Sequence, residues 1–343
     1  MMRKQYSKSS VLSIVILGFC ISFSLAQTSD PKSTLFDSLY ALDIAEIQVL
    51  VDIDSILANK FTKREQEAMI AVRTTDNEVL DLPLDIQVRS KSRRRYCDFP
   101  PLKFDFKKGF LKDWGLDKHD DFKIVTHCLD DSKGLPTMLK EYLVYKLYEI
   151  VTPLSLRTIL FDIIYKDIGG SKVHKTKAIM LESEEGFAKK HEGTLCECMG
   201  TKPDSIDPFQ FELVAMFQYM IGNSDMNYMV ERNVTLVRDN EHKRLIPIPY
   251  DFDFSGFVNA PYVHPEVFDN KLIPRVYLGF EQNSSHLPAV IDRFIAKKKE
   301  IINTIDDFEL IDHKERKACT RYVKAFYRQI ENPRFLPPYT APE

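Results

Sequence analysis

Glycine and cysteine are scarce in this sequence, whose 343 residues include only 12 glycines and six cysteines. These low counts exclude collagen-like chains, low-complexity chains and small proteins held together mainly by disulfides. Long apolar runs are also rare, because only one segment, at the N-terminus, approaches the length of a membrane span. The sequence is therefore not that of a polytopic membrane protein, and its length predicts two domains or one large domain with two lobes.

The N-terminal apolar run is typical of a cleaved signal peptide. Basic residues precede the apolar stretch 11–23, and Ser24-Leu25-Ala26 supplies small residues for a signal peptidase. We therefore expect residues 1–26 to be removed and the protein to be exported, to the periplasm, the cell surface or the medium. A lipid on Cys20 is ranked lower because Phe19 is too bulky for that processing site. Cleavage removes basic residues only, and a more acidic chain predicts no nucleic-acid partner.

Apolar periodicity predicts the order of the secondary structure. After a polar leader over 27–40, strands are predicted at 47–53, 68–72, 84–89, 102–106 and 122–125, a helix at 136–153, and strands at 157–164 and 178–181. Further on, helices are predicted at 209–221, 287–306 and 312–330, with two short strands at 234–237 and 245–248. The predicted fold class is therefore α+β with two lobes, a β-rich N-terminal lobe (27–182) and a mainly helical C-terminal lobe (183–343).

Carboxylates and amides converge around the predicted hairpin of the second half. Asp225 follows the end of a helix at Gly222-Asn223, and pairing residue 238 with 245 puts Asn233 opposite residue 250. Asn233 and Asp251 then lie at one end of the hairpin, the end from which the Asp225 loop departs. Asp253 follows two residues later.

This set of oxygen ligands suits a hard cation such as Mg²⁺ or Mn²⁺. Asn233 and Asp251, with Asp253 as a third candidate, would hold the metal, and Asp225 would orient or deprotonate a hydroxyl group. That division of labour is the one used in phosphoryl transfer. The alternative is that these aspartates only form turns and helix caps.

A basic run over 89–95 has two interpretations of equal weight. Arg89 and Arg93 could clamp phosphate groups, because guanidinium groups bind them through paired hydrogen bonds. The run could equally be a solvated turn. Lys103 and Lys123 both alternate with apolar residues on predicted strands, so each could face either a ligand or water.

The sequence resembles the CotH-type (spore-coat protein H) atypical kinases and their exported bacterial relatives over about residues 82–278. The resemblance rests on Arg89-Ser90-Lys91-Ser92-Arg93-Arg94, Phe99-Pro100-Pro101-Leu102-Lys103-Phe104, Glu141-Tyr142-Leu143-Val144-Tyr145-Lys146-Leu147, Gly222-Asn223-Ser224-Asp225 and Tyr250-Asp251-Phe252-Asp253. It implies a two-lobed protein-kinase-like fold, with ATP and a divalent metal in a cleft between the lobes.

The same resemblance implies roles for individual residues. Asp225 matches the catalytic aspartate, and Asn233 and Asp251 match the metal ligands. Lys103 is the candidate for the phosphate-contacting lysine, and the backbone at Glu182 would meet the nucleotide base.

The leading prediction is an exported ATP- and metal-dependent phosphotransferase that acts on a protein or a small hydroxyl substrate. A second candidate is an inactive kinase-like binding or structural module at the cell surface, supported by Ser90, which stands where the family tends to have glycine. A third is a metal-dependent hydrolase using Asp225, Asp251 and Asp253.

Two cysteine pairs and one histidine complete the sequence predictions. Cys97 and Cys128 flank predicted strands and are the first candidate disulfide. Cys196 and Cys198 lack the spacing of a zinc knuckle, so a loop without metal is expected there. His127, at a strand end, is expected to be a packed histidine rather than a base.

Overall fold

A computed structural model describes residues 33–90, 93–170, 172–263, 273–281 and 284–338. The predicted signal peptide lies outside these residues. The described residues form one compact unit. None of the described helices combines the length and the apolar character needed to cross a bilayer.

Every predicted strand and helix is present in the predicted order, and the described residues contain five further short helices and one further strand. The strands are β1 Ile44–Val51, β2 Glu65–Thr74, β3 Val79–Val88, β4 Leu102–Phe106, β5 Asp121–Val125, β6 Thr158–Asp167, β7 Val173–Leu181, β8 Gly193–Cys196, β9 Val234–Asp239 and β10 Leu245–Pro249. The helices are α1 Leu35–Ala41, α2 Ile53–Ala58, α3 Arg93–Tyr96, α4 Lys108–Asp113, α5 Gly134–Val151, α6 Glu184–Lys190, α7 Pro208–Ile221, α8 Leu287–Asp306 and α9 His313–Ile330.

Seven strands close into a barrel in the order β1-β2-β3-β4-β5-β7-β6. Neighbouring strands are antiparallel except β1 and β6, which pair in parallel and close the ring. Alternate side chains of β1, such as Ile47 and Val49, are fully buried in the barrel core. Period-two alternation thus sends one face of each strand inward.

The predicted two-lobed protein-kinase-like fold is wrong. The strands of the first half form a closed, mixed barrel, and a separate sheet in the order β10-β9-β8 lies among the helices of the second half. Alternation in the sequence identified the strands as such, but it does not reveal which strands pair. Closure depends on the parallel contact between β1 and β6, which joins strands that are far apart in the sequence.

The predicted polar leader over 27–40 is also wrong in its second part, because residues 35–41 form α1. Thr34 and Asp37 form a capping box at its start, and Leu35, Phe36 and Leu39 are buried. The signal was present in the sequence as a threonine followed three residues later by an acidic side chain.

The second half packs around α7, which is buried along nearly its whole length. The amphipathic helices α8 and α9 cover it, and α8 also contacts α5. The expected disulfide between Cys97 and Cys128 is confirmed, and Cys196 and Cys198 form a second one.

Candidate functional site

The β9–β10 hairpin has the predicted register. Leu245 pairs with Arg238, and the backbone N–H of Tyr250 donates to the carbonyl of Asn233 at 3.0 Å. Asn233 and Asp251 both lie in the left-handed region, with φ of 55° and 62°. Asparagine and aspartate tolerate this conformation better than most residues. The two side chains therefore leave the hairpin at its open end.

Asp225 reaches the same end from the C-terminus of α7. Gly222 ends the helix with φ of 65°, and the buried Asn223 side chain accepts a hydrogen bond from the Asp225 N–H at 3.0 Å. Asn233 Nδ2 donates to the Asp225 carboxylate at 2.9 Å and to its backbone carbonyl at 2.7 Å. Arg232 Nε lies 3.1 Å from the same carboxylate. The loop after α7 and the hairpin thus bring Asp225 and Asn233 into direct contact.

Burial raises the pKa of Asp225, and the nearby charge of Asp251 acts in the same direction. The contacts with Arg232 and Asn233 oppose this shift without cancelling it. One third of the Asp225 side chain is exposed, so the carboxylate remains accessible to a ligand.

A buried arginine lies behind Asp251. Arg93 of α3 forms ion pairs with Asp251 and with Glu141 of α5, and its Nε lies 2.9 Å from Asp253. Tyr262 also donates to Asp253, at 2.9 Å. Arg93, Glu141 and Asp253 are almost completely buried.

The buried carboxylates differ in their protonation equilibria. Burial raises the pKa of Asp253 well above its usual range and also raises the pKa of Glu141. Burial would raise the pKa of Asp251 too, but the charges of Arg93 and Arg89 hold it below its ordinary value. Of the three carboxylates, Asp251 is thus the one whose pKa is lowered.

Two further cations flank Asp251. Arg89, just after β3, is half-buried close to Asp251 and Tyr250, and no described residue hydrogen-bonds to its guanidinium group. Lys123 of β5 lies over the ring of Tyr250, with Nζ 3.8 Å from the ring centre, and forms an ion pair with Glu184. Burial and the charge of Arg89 lower the pKa of Lys123 to about 7, whereas the charges of Asp251, Glu185 and Asp121 act in the opposite direction.

Lys103 and Glu182 have other contacts. Lys103 lies opposite Lys123 in the β4–β5 register, and its Nζ contacts Asp105 at 2.7 Å and Asp121 at 3.3 Å. The buried carboxylate of Glu182 accepts hydrogen bonds from Arg157. Lys123, and not Lys103, is thus the lysine beside Asp251. The alternation of polar and apolar residues that made Lys103 a candidate is present around Lys123 as well.

Asn233 and Asp251 fit a hard cation. No described residue hydrogen-bonds to Asn233 Oδ1, and about a quarter (27%) of the Asp251 side chain is exposed. Both are oxygen ligands of the kind that Mg²⁺ and Mn²⁺ prefer. Asp253 does not fit, because its carboxylate is buried against Arg93 and Tyr262.

A cavity of about 830 Å³ lies elsewhere, between the start of α5 and α9, and its walls include Lys140, Arg275 and Tyr322. None of the predicted site residues lines it. The open end of the hairpin is the stronger candidate site, because the predicted carboxylates and amide meet there beside Arg89 and Lys123.

No family model matches this sequence. No curated protein shows significant similarity to it either.

Proposed function

We propose that the protein is an exported, ATP- and metal-dependent phosphotransferase that acts on a hydroxyl group of a protein or of a small molecule. One observation carries the proposal: Asp225, Asn233 and Asp251 converge at the open end of the β9–β10 hairpin, beside Arg89 and Lys123. Acidic, amide and basic groups in one partly exposed place suit a polyphosphate and its counter-ion. The proposal rests on this site and on no similarity of fold.

Arg89 and Lys123 are the proposed phosphate-binding residues. A half-buried guanidinium group with no hydrogen-bond partner among the described residues can donate paired hydrogen bonds to phosphate oxygens. Lys123, which is close to Arg89 and Asp251, adds a second basic group. A divalent cation held by Asn233 and Asp251 would neutralise charge on the transferring phosphate.

Asp225 is the proposed base. Its raised pKa makes it a stronger proton acceptor than an exposed aspartate, and Asn233 holds its carboxylate in a fixed position. Arg232, which is about half exposed, can swing away when an acceptor hydroxyl binds. Asp225 would then accept the proton that this hydroxyl loses.

A second candidate, a nucleotide-binding module without turnover, is favoured by the Arg93 contacts. Arg93 already neutralises Asp251 and Asp253, so the group is stable without any metal. A hydrolase that uses Asp253 is less well supported, since this carboxylate is buried.

The test measures labelled phosphate transfer from ATP with Mg²⁺ or Mn²⁺ to a panel of acceptors, with ATP binding measured by calorimetry on the same preparations. Asp225→Asn should lower transfer by about 10²–10⁴-fold and leave binding intact, because the side chain acts on the acceptor. Arg89→Ala should weaken both binding and transfer.

Two control variants match these changes. Asp239→Asn alters an aspartate at the far end of the same hairpin, and Arg95→Ala alters an exposed arginine of the same basic run. Both should behave as the wild type. Binding without transfer to any acceptor would favour the binding module. Absence of ATP binding with either metal would refute both candidates.

A further inference from the structure

Three side chains of the types that bind metal ions lie together at one end of the barrel. None of them belongs to the site described above. His127 Nε2 lies 2.9 Å from Asp130 Oδ1 and 3.2 Å from His174 Nε2, and all three ligand atoms lie within 4.8 Å of one another. His127 is buried, His174 is half-buried and Asp130 is exposed. The cluster is therefore held by protein on one side and open to solvent on the other.

The local structure fixes each ligand. His127 follows β5, next to Cys128, whose disulfide to Cys97 anchors the chain there. The Asp130 N–H donates to the Asp98 carboxylate at 3.1 Å. His174 belongs to β7. These contacts position the three side chains without a bound ion.

Phe99 orients both imidazole rings. Its ring stacks on His174 at a centroid distance of 5.5 Å and on His127 at 5.7 Å. His127 Nε2 lies next to both His174 Nε2 and Asp130 Oδ1.

Hydrogen bonds alone do not satisfy this cluster. A single N–H at His127 Nε2 can point to only one of its two neighbours, so the other neighbour receives no hydrogen bond from this nitrogen. A proton on His174 Nε2 instead leaves the Asp130 carboxylate facing the His127 lone pair. His127 Nδ1 is buried and has no hydrogen-bond partner among the described residues. The second nitrogen of the ring therefore does not make up for the hydrogen bond that is missing at Nε2. A cation between the three atoms would satisfy all three lone pairs at once.

The distances suit zinc. Ligands bound tetrahedrally at about 2.0–2.1 Å lie about 3.3 Å apart, close to the 3.2 Å between the two histidine nitrogens. Asp130 needs only a small outward shift, which its exposure permits. Two imidazoles and one carboxylate favour Zn²⁺ over Mg²⁺ or Ca²⁺, which prefer oxygen ligands only.

We propose that His127, Asp130 and His174 bind one Zn²⁺ ion, with water as the fourth ligand. The ion would link the end of β5, the loop before α5 and β7. This site is independent of the proposed phosphotransferase site, and neither proposal depends on the other.

The test is a titration of the purified, chelator-treated protein with ZnCl₂ in competition with a chromophoric chelator. We expect one tight site per chain. Asp130→Asn and His174→Ala should each weaken zinc binding by about 100-fold or more, since even the loss of an outer hydrogen bond to a ligand costs 10–100-fold. Mg²⁺ in large excess should not compete.

The control variant is His242→Ala. His242 pairs with Asp239 at the same three-residue spacing as His127 with Asp130, but it is exposed and lacks a second histidine. It should bind zinc as the wild type does. Asp130 is exposed, so Asp130→Asn remains informative even if His174→Ala fails to fold. The proposal is wrong if the wild type binds no zinc at micromolar concentration, or if Asp130→Asn binds it as tightly as the wild type.

Discussion

Arg93 is the residue on which the buried charges depend. It contacts Glu141, Asp251 and Asp253 from a nearly fully buried position. Arg93→Met keeps most of the side-chain volume and removes the positive charge that all three carboxylates contact. We expect the free energy of unfolding at neutral pH to fall by about 3–5 kcal/mol, as measured by urea denaturation.

The control for this change is Arg95→Met, which alters an exposed arginine and should have little effect. The loss in Arg93→Met should also shrink as the pH falls. Without the arginine, the folded state binds protons more tightly than the unfolded state, so acid favours folding. A loss that is the same at pH 4 and pH 8 would contradict the ionic explanation.

Glu212 gives the folded protein a pH dependence near neutrality. Burial raises the pKa of Glu212 from its ordinary 4.5 to about 7, and Tyr277 donates a hydrogen bond to this carboxyl group. A raised pKa stabilises the fold below the unfolded-state value, and this stabilisation is lost as the pH rises to the folded-state value. The free energy of unfolding should therefore fall between about pH 4.5 and pH 7.

Glu212→Gln should flatten the pH dependence over that interval, because the neutral amide imitates the protonated acid. Thermal unfolding of both proteins across the pH range measures the effect. Glu309→Gln, at an exposed position, should keep the wild-type profile. If it lost the slope as well, the assignment to Glu212 would fail.

At the scale of elements, the end of α7 determines where Asp225 lies. Gly222 has φ of 65°, and a Cβ placed there would come within 2.0 Å of Tyr322 Oη. Gly256 confines the same hydroxyl from another side, at 2.4 Å from its own virtual Cβ. The tyrosine hydroxyl thus lies close to both glycines, and a methyl group on either one would displace it.

Gly222→Ala should destabilise the protein by more than the cost of backbone strain alone. Gly200→Ala isolates that strain, since Gly200 has φ of 77° and open space around it, and should cost about 1–2 kcal/mol. Adding Tyr322→Phe to Gly222→Ala should recover part of the excess, as measured by denaturant unfolding. Equal losses in the two alanine variants would show that the tyrosine contact is unimportant.

Local patterns predicted the hairpin and its register because the polar turn between β9 and β10 leaves few ways to pair the strands. The same patterns could not show which of the two lysines, Lys103 or Lys123, lies near the candidate site. The two residues face each other across β4 and β5, so both lie on one side of the sheet. Which of them lies near Asp251 depends on Tyr250 and Glu184, which come from distant parts of the chain.

At the scale of the whole molecule, the Cys97–Cys128 disulfide constrains the barrel against the start of α5. It joins residues 31 positions apart. Replacing both cysteines by serine should lower the free energy of unfolding by about 3–4 kcal/mol, mainly through the entropy of the unfolded chain. Calorimetric unfolding measures the change, and Cys319→Ser, which alters a buried free thiol, separates the loss of a cross-link from a packing effect. Reductant should reproduce the double variant's loss. It should affect that variant little, because the remaining Cys196–Cys198 disulfide joins residues only two positions apart and closes a very short loop.

Closure of the barrel is the feature of the fold that the sequence analysis failed to predict. Each strand can be recognised from the alternation of apolar and polar residues within it. The contact of β1 with β6 joins segments that are far apart in the sequence, and no local pattern indicates it. Asp253 shows the same limit within the site. Its sequence position beside Asp251 suggested a metal ligand, but the orientation of its side chain is set by Arg93 and Tyr262.

The pairing of β1 with β6 has a consequence for biosynthesis. Gln48 and Lys166, whose side chains are hydrogen-bonded across these strands, are 118 residues apart. During translation, β1 therefore leaves the ribosome long before its partner exists, and one row of its backbone donors and acceptors stays open in the nascent chain. Such an open edge invites pairing with strands of other molecules. A chaperone that shields residues 44–51 until β6 has emerged would raise the yield of folded protein more than one that acts on the later helices.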